Sequence, residues 1–224
     1  VSLVTSASAV LLPRASFYVD RNLLEEFYHL LRKTMHFVLL LACPMTLYFI
    51  IFAKEGIFFL SGEAYAGSIL PMQIIMPTLI FIGMTNVIGI QMLVPLGLEK
   101  QVLYSEIAGA VVDLILNAIL IPRFSSSGAA IGTLVAELVV LIWQLNVIKD
   151  RQTNLYKNIK IYKILIALII ALLASIWIKG MLSSYFLILL VSAICFFGCY
   201  LVVLIITKEK LTIELLNLFL GKLS

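Results

Sequence analysis

Charge is scarce in this chain. Of 224 residues only 12% are charged, against 62% hydrophobic, and the mean hydropathy is +1.12. A soluble domain carries roughly 25% charged residues, so the composition excludes one. No lysine stands in the middle of an apolar run, which removes a retinal Schiff base. A phosphate-cradling Walker loop is missing, as is any His and carboxylate cluster with metal spacing or a Ser, His and Asp set in a credible arrangement. Nothing in the residues supports catalysis, and no cofactor or metal is expected. Cysteine is sparse: Cys43, Cys195 and Cys199 all lie inside apolar runs, where a small thiol is an ordinary packing residue. An initiator Met is lacking too, and residues 1–12 read as the second half of a helix already under way. The chain is therefore read as a carboxyl-terminal piece of a longer protein, and the lack of a signal peptide carries no information.

What the chain does have is apolar runs, at roughly 36–53, 69–94, 103–121, 128–148, 164–178 and 184–206, with a stub before Pro13. Most approach the ~20 residues that cross hydrocarbon as a helix. Lys and Arg fall into alternate gaps: Arg14, Arg21, Arg32 and Lys33 in the first, Lys100 in the third, five residues from Lys149 to Lys163 in the fifth, and Lys208, Lys210 and Lys222 in the tail. Only Lys54, Arg123 and Lys179 occupy the other gaps. The positive-inside bias puts the basic gaps and the carboxyl terminus in the cytoplasm. The net charge of +4 is then the sum of orienting loop charges that meet anionic lipid, and no nucleic-acid partner is needed to explain it.

Local signals subdivide this plan. Residues 20–33 are amphipathic, with Leu23, Leu24, Phe27, Leu30 and Leu31 opposite Glu25, Glu26, His29, Arg32 and Lys33. That pattern predicts a helix lying on the cytoplasmic surface, capped by Asp20. Cys43-Pro44 in one crossing, and Pro71, Pro77 and Pro95 with Gly83 and Gly89 in the next, predict bent helices. Ser61–Gly67 and Ile121–Gly128 read as external turns, and the small residues Gly128, Ala129, Ala130, Gly132, Thr133 and Ala136 predict close approach of another helix. The expected organisation is a transmembrane bundle over 1–148, a basic linker over 149–163, two Leu- and Ile-rich helices over 164–206 that face lipid, and a cytoplasmic tail over 207–224, in which Glu209 to Leu223 form a short helix.

Three carboxylates resist assignment to loops: Glu106, Asp113 and Glu137. An acidic group at mid-helix costs roughly 2.5–3.5 kcal/mol to insert, so such groups turn toward a bundle interior or water. Glu106, Gly109 or Ala110, Asp113 and Asn117 align as one stripe, and Ala130, Thr133, Glu137 and Gln144 as another. Asn86 and Gln91 add amides at membrane depth, and on an α-helix five residues apart they face different ways. These stripes predict a water-accessible cleft between helices, or else a set of hydrogen-bonded packing groups.

The strings Leu11-Leu12-Pro13-Arg14-Ala15-Ser16, Gly62-Glu63-Ala64-Tyr65, and Asn117-Ala118-Ile119-Leu120-Ile121-Pro122 followed by Gly128-Ala129-Ala130-Ile131-Gly132-Thr133 and Glu137 resemble the carboxyl half of polysaccharide flippases of the Wzx type. These belong to the multidrug/oligosaccharidyl-lipid/polysaccharide exporter superfamily. The resemblance covers most of 1–148. It implies an all-α, MATE-like bundle of about fourteen helices in two lobes, of which this chain holds the end of helix eight through helix fourteen, about six complete helices plus part of a seventh. It implies a multi-pass protein of the bacterial inner membrane that moves an undecaprenyl-pyrophosphate-linked oligosaccharide to the periplasmic leaflet. Membrane lipid and the polysaccharide polymerase and chain-length machinery are the partners it implies. Asn86, Gln91, Asn117 and Gln144 are the expected sugar contacts, Asp113, Glu137 and Glu106 the coupling-ion candidates, and Arg14 a pyrophosphate contact at the cytoplasmic mouth. An anionic pyrophosphate calls for cations in the cavity, and this half has them only near the membrane faces. A multidrug cation exporter of the same superfamily is the alternative. A membrane glycan polymerase would need a large external loop, and both complete external gaps are short; a non-transporting scaffold would make Asp113 and Glu137 dispensable together.

Overall fold

A computed structural model describes residues 2–149, 155 and 159–220. Among them every regular element is helical. Five helices are long and apolar enough to cross a membrane: Leu24–Ile51, Glu63–Leu93, Glu99–Val147, Ile161–Met181 and Tyr185–Ile206. The third doubles back, because Ser125 (φ 50°, ψ −129°) breaks it into limbs over 99–124 and 126–147. The apolar runs of the sequence thus become six rods, in keeping with a multi-pass membrane protein. Two compact units divide them, one of Val1–Ala42 and Leu70–Ile159, the other of Cys43–Ile69 and Lys160–Ser224. The long helices after residue 160 therefore share a unit with 43–69, and the expected division at 148 and 164 follows chain order rather than packing.

In the first unit, α1 (Ser2–Asp20) runs straight through Pro13 rather than ending there. Ala15 is fully buried just after the proline, and Arg14 reaches one turn on to Tyr18. The predicted surface helix over 20–33 does not form as a separate element. Asp20 is instead the last residue of α1, the chain turns at Asn22, and α2 (Leu24–Ile51) continues unbroken into the crossing. Asn22 carries the turn with φ 56°, a left-handed conformation that Asn tolerates better than most residues. Downstream no Gly or Pro stands between Leu24 and Pro44 to stop the helix, and Phe27, Leu31, Met35, Val38 and Ala42 keep one buried row through it.

The crossing predicted to bend at Pro77 and Pro95 does so, whereas α2 continues as one helix past Pro44. α4 (Ile69–Ile75) stops ahead of Pro77, and α5 (Thr78–Thr85) restarts after it. α5 then loosens into a π turn over Asn86–Leu93, marked by the hydrogen bond from Val94 N–H to Gly89 O at 3.1 Å. Pro95 and Gly97 (φ 71°) end the crossing. A π turn closes one residue later than an α turn, so residues five apart come nearly one above the other. Asn86 and Gln91 are thereby brought toward the same side, against the divergence expected of an α-helix. α6 (Glu99–Val147) folds as the hairpin of two limbs.

In the second unit, α3 (Ala53–Ser61) and a 3₁₀ turn over Glu63–Ser68 follow α2, with Gly62 (φ 85°) between them. α7 (Ile161–Ile176), the short α8 (Ile178–Met181) and α9 (Tyr185–Ile206) form an antiparallel pair. Ala167, Ala171 and Ser175, four residues apart, bury a small-residue row on α7, and Ser192, Phe196, Tyr200 and Val203 fill the facing row on α9. Small residues every fourth position let helices approach where hydrophobicity cannot drive them together. The opposite faces carry exposed Leu165, Ile169, Leu173, Ile194, Val202 and Ile206, as lipid-facing helices require. α10 (Lys210–Leu220) is the expected tail helix: Lys208 breaks the chain at φ 52°, and the buried Glu209 caps α10 by accepting from Thr212 N–H at 2.7 Å and Thr212 Oγ at 2.8 Å. Lys163 of the predicted linker sits inside α7 and donates to the carbonyls of Thr207 and Lys208. Arg151, Lys157 and Lys222 of the linker and tail lie outside the described residues.

Candidate functional site

The α6 hairpin builds its seam from an unusually bare row. On the second limb Gly128, Gly132, Ala136, Val140 and Gln144 recur every fourth residue and are all buried. A Cβ on Gly128 would collide with the backbone carbonyl of Leu120, one on Gly109 would lie 2.5 Å from Val140 Cγ2, and one on Gly132 would lie 2.5 Å from Asn117 Oδ1. The predicted close approach is therefore the approach of the two limbs to each other. It follows from Pro122, three serines and Gly128, which allow the reversal.

This bare row is what gathers the polar stripe. Asn117 Nδ2 donates to Asp113 Oδ2 at 3.0 Å, one turn apart on the first limb. Asp113 Oδ1 would lie 3.2 Å from a Cβ on Gly132, so both side chains rest on the facing glycine. Asp113 Oδ1 and Asn117 Oδ1 are buried and accept no hydrogen bond from any described residue. Glu137, half-buried on the second limb, lies within electrostatic reach of Glu106 and Asp113. Glu106, three residues before Gly109, is exposed. The two limbs touch along this seam, because Gly109, Gly128 and Gly132 remove the side chains that would hold them apart.

The remaining predicted residues separate. Gln144 is 1% exposed; it donates to Ser105 Oγ at 3.2 Å across the hairpin, and its amide sits against Gly89 of the π turn. Gln91 is fully buried on the same π turn. Asn86 donates to Ile82 O on its own helix at 2.9 Å. Of the eight predicted residues, Arg14 lies elsewhere, in a groove of ≈ 740 Å³ where α1 bends into α2. Tyr18, Tyr28, His29, Arg32 and Lys33 line that groove with it. Sequence reading put Arg32, Lys33 and His29 on the polar face of a surface helix and did not join them to Arg14, since the turn at Asn22 has no Gly or Pro to announce it.

A second set of polar contacts was missed altogether. In the second unit Lys179 Nζ lies 3.2 Å from Glu55 Oε2, donates to Ile51 O at 2.6 Å, and stands 4.8 Å from the centre of the Phe52 ring. Tyr48 OH donates to Leu189 O at 2.8 Å and meets Ser192 Oγ at 3.0 Å. Tyr185 OH donates to Glu63 Oε1 at 2.7 Å. These partners lie more than a hundred residues apart in sequence, and the only prior signal was that Lys179 stands alone between two apolar runs.

No protein-family profile matches the chain, and no solved structure does. The chain is similar to a protein of Methanocaldococcus jannaschii named an uncharacterized membrane protein, at 26% identity over 199 residues. The similarity covers 88% of this chain but only 38% of that relative. It supports what the apolar helices already establish, a membrane protein that crosses the bilayer several times.

Proposed function

We propose that the chain is the carboxyl-lobe portion of an alternating-access exporter of the polysaccharide-flippase type, carrying an oligosaccharide on undecaprenyl pyrophosphate from the cytoplasmic to the periplasmic leaflet of a bacterial inner membrane. The observation that supports this reading is the α6 seam: Asp113 and Asn117 paired at membrane depth, each with an uncommitted oxygen, and Glu137 and Glu106 within reach. Intramembrane acids are costly and serve ion or substrate pathways as a rule. A pyrophosphate and its sugars would lose hydration worth many kcal/mol in hydrocarbon, whereas a polar path that opens laterally avoids that loss. In this reading Asp113 and Glu137 bind the coupling proton or cation, the amides of Asn86, Gln91, Asn117 and Gln144 serve sugar hydroxyls, and no covalent step is catalysed. The carboxyl terminus is cytoplasmic, and a polymerase with its chain-length machinery takes the delivered unit.

The test replaces Asp113 by Asn and Glu137 by Gln singly in the full-length protein, then measures flipping of the lipid-linked glycan under imposed proton and sodium gradients. The reading expects each variant to lose its response to one gradient. Unchanged flipping under both would remove the coupling role. A multidrug cation exporter of the same superfamily is the second reading, favoured by Glu106, Asp113 and Glu137 inside one hairpin whose cations, Lys100 and Arg123, stand only at its start and at its turn. It expects the same variants to abolish efflux of a lipophilic cation while glycan delivery is untouched.

A further inference from the structure

We infer that the elbow between α1 and α2 is a binding site for the phosphate headgroup of a membrane lipid, with Arg14 as its principal contact. Arg14 is held from one side only. Its Nε–H donates to Tyr18 OH at 3.0 Å, and its guanidinium stands 5.6 Å from the centre of the Tyr18 ring. Both Nη groups are left with no acceptor among the described residues, and no carboxylate there lies in ion-pair range, although Glu25 and Glu26 line the same groove. A planar guanidinium fixed by its Nε edge presents a two-pronged donor, which suits a phosphate oxygen pair. Arg32 and Lys33 line the same groove.

The surroundings select a lipid over a free anion. Leu24 lines the groove and is exposed, as are its neighbour Leu23 and Phe17, the neighbour of Tyr18. Apolar side chains open beside cations, with Tyr18 and Tyr28 between, match a membrane interface, where apolar groups meet acyl chains and cations meet headgroups. Arg21 supplies the internal control. It follows the last residue of α1, its charge 5.5 Å from the Phe17 ring, and it does not line the groove. A diffuse attraction to anionic lipid would weigh Arg14 and Arg21 alike, each worth about fivefold. A site would not.

The inference does not depend on transport through the α6 seam, and its test needs none. The purified full-length protein in neutral detergent is offered phosphatidylglycerol, a polyprenyl pyrophosphate, phosphatidylcholine, or soluble inorganic pyrophosphate, and bound ligand per protein is read by native mass spectrometry. Retention of one or both anionic lipids, with phosphatidylcholine lost, is expected, and the better retained of the two identifies the source as bilayer lipid or carrier lipid. Arg14→Gln should weaken retention about tenfold or more, as the loss of a charge-assisted pair does. Tyr18→Phe, which keeps the ring and frees the guanidinium, should weaken it about threefold. Arg21→Gln should leave it within about twofold. Arg14→Lys, which keeps the charge and loses the fork, guards against misfolding and should fall between Arg14→Gln and the parent. Equal losses for Arg14→Gln and Arg21→Gln would overturn the site. Soluble pyrophosphate bound as tightly as either lipid would overturn the lipid assignment.

Discussion

The two compact units treat their inward-turned polar groups in opposite ways. Around α7 and α9 the buried polar groups close on one another: Tyr48 with Leu189 O and Ser192, Lys179 with Ile51 O and Glu55, Lys163 with two carbonyls at the end of α9. Around the α6 hairpin Asp113 Oδ1, Asn117 Oδ1 and Gln144 Oε1 are buried without a donor among the described residues. Buried acceptors are ordinarily satisfied, because leaving one open costs about 1–3 kcal/mol. Polar residues of the second unit therefore act as fasteners. In the first, three acceptors stay open at a cost to stability, and it is these that the proposed function would engage with a ligand or an ion.

Glycine substitution gives the widest separation of the two units. Gly128→Ala should destabilise the α6 hairpin by about 3 kcal/mol, since the new methyl meets the unyielding carbonyl of Leu120. Gly198→Ala on α9 should stay within about 0.5 kcal/mol, because nothing lies within 4 Å of that position. Unfolding in detergent followed by circular dichroism measures both, and equal effects would dissolve the contrast. Next in size is Lys179→Met. Removing one member of a fully buried pair costs about 3–5 kcal/mol; Lys179 is 30% exposed, so about 2 kcal/mol is expected here. Adding Glu55→Gln should recover part of that loss, and a further drop on addition would show that the pair is not a fastener.

The smallest effects sharpen the comparison most. Tyr48→Phe should cost about 0.6 kcal/mol, the average for a hydrogen bond between helices in a membrane. Asn117→Ala should cost no more than that, about 0.5 kcal/mol, because the opening of Asp113 Oδ2 is offset by removal of the open acceptor Asn117 Oδ1. If the two were instead separated by several kcal/mol in favour of Asn117, the α6 seam would be a fastener too.

Much of this architecture was open to reading from residues alone. Pro77, Pro95, Gly62 and the Pro122–Gly128 stretch carry their backbone consequences in their own chemistry, and turns fall where they stand. Gly128, Gly132 and Ala136 announced close approach for the same reason: a missing side chain is a property of the residue. The meeting of Asp113 with Asn117 follows from helical spacing. Harder to see were features set by neighbours. The turn at Asn22 rests on a single left-handed residue, so the gathering of Arg14 with Arg32 and Lys33 was hidden, and α2 was split where it is continuous. The side faced by Asn86 and Gln91 depended on a π turn that no residue in 86–93 declares. Pairing of Lys179 with Glu55 across 124 positions has no local trace.

The π turn also bears on how this crossing tolerates changes in length. Deleting a residue from an α-helical crossing swings everything beyond it by about 100° and so presents the wrong face to its neighbours. Between Asn86 and Leu93 the backbone already holds about one residue more than a straight α-helix needs. Shortening by one there would tighten the coil and leave the flanking faces aligned, so this stretch is the place in the crossing where a lost codon does least harm.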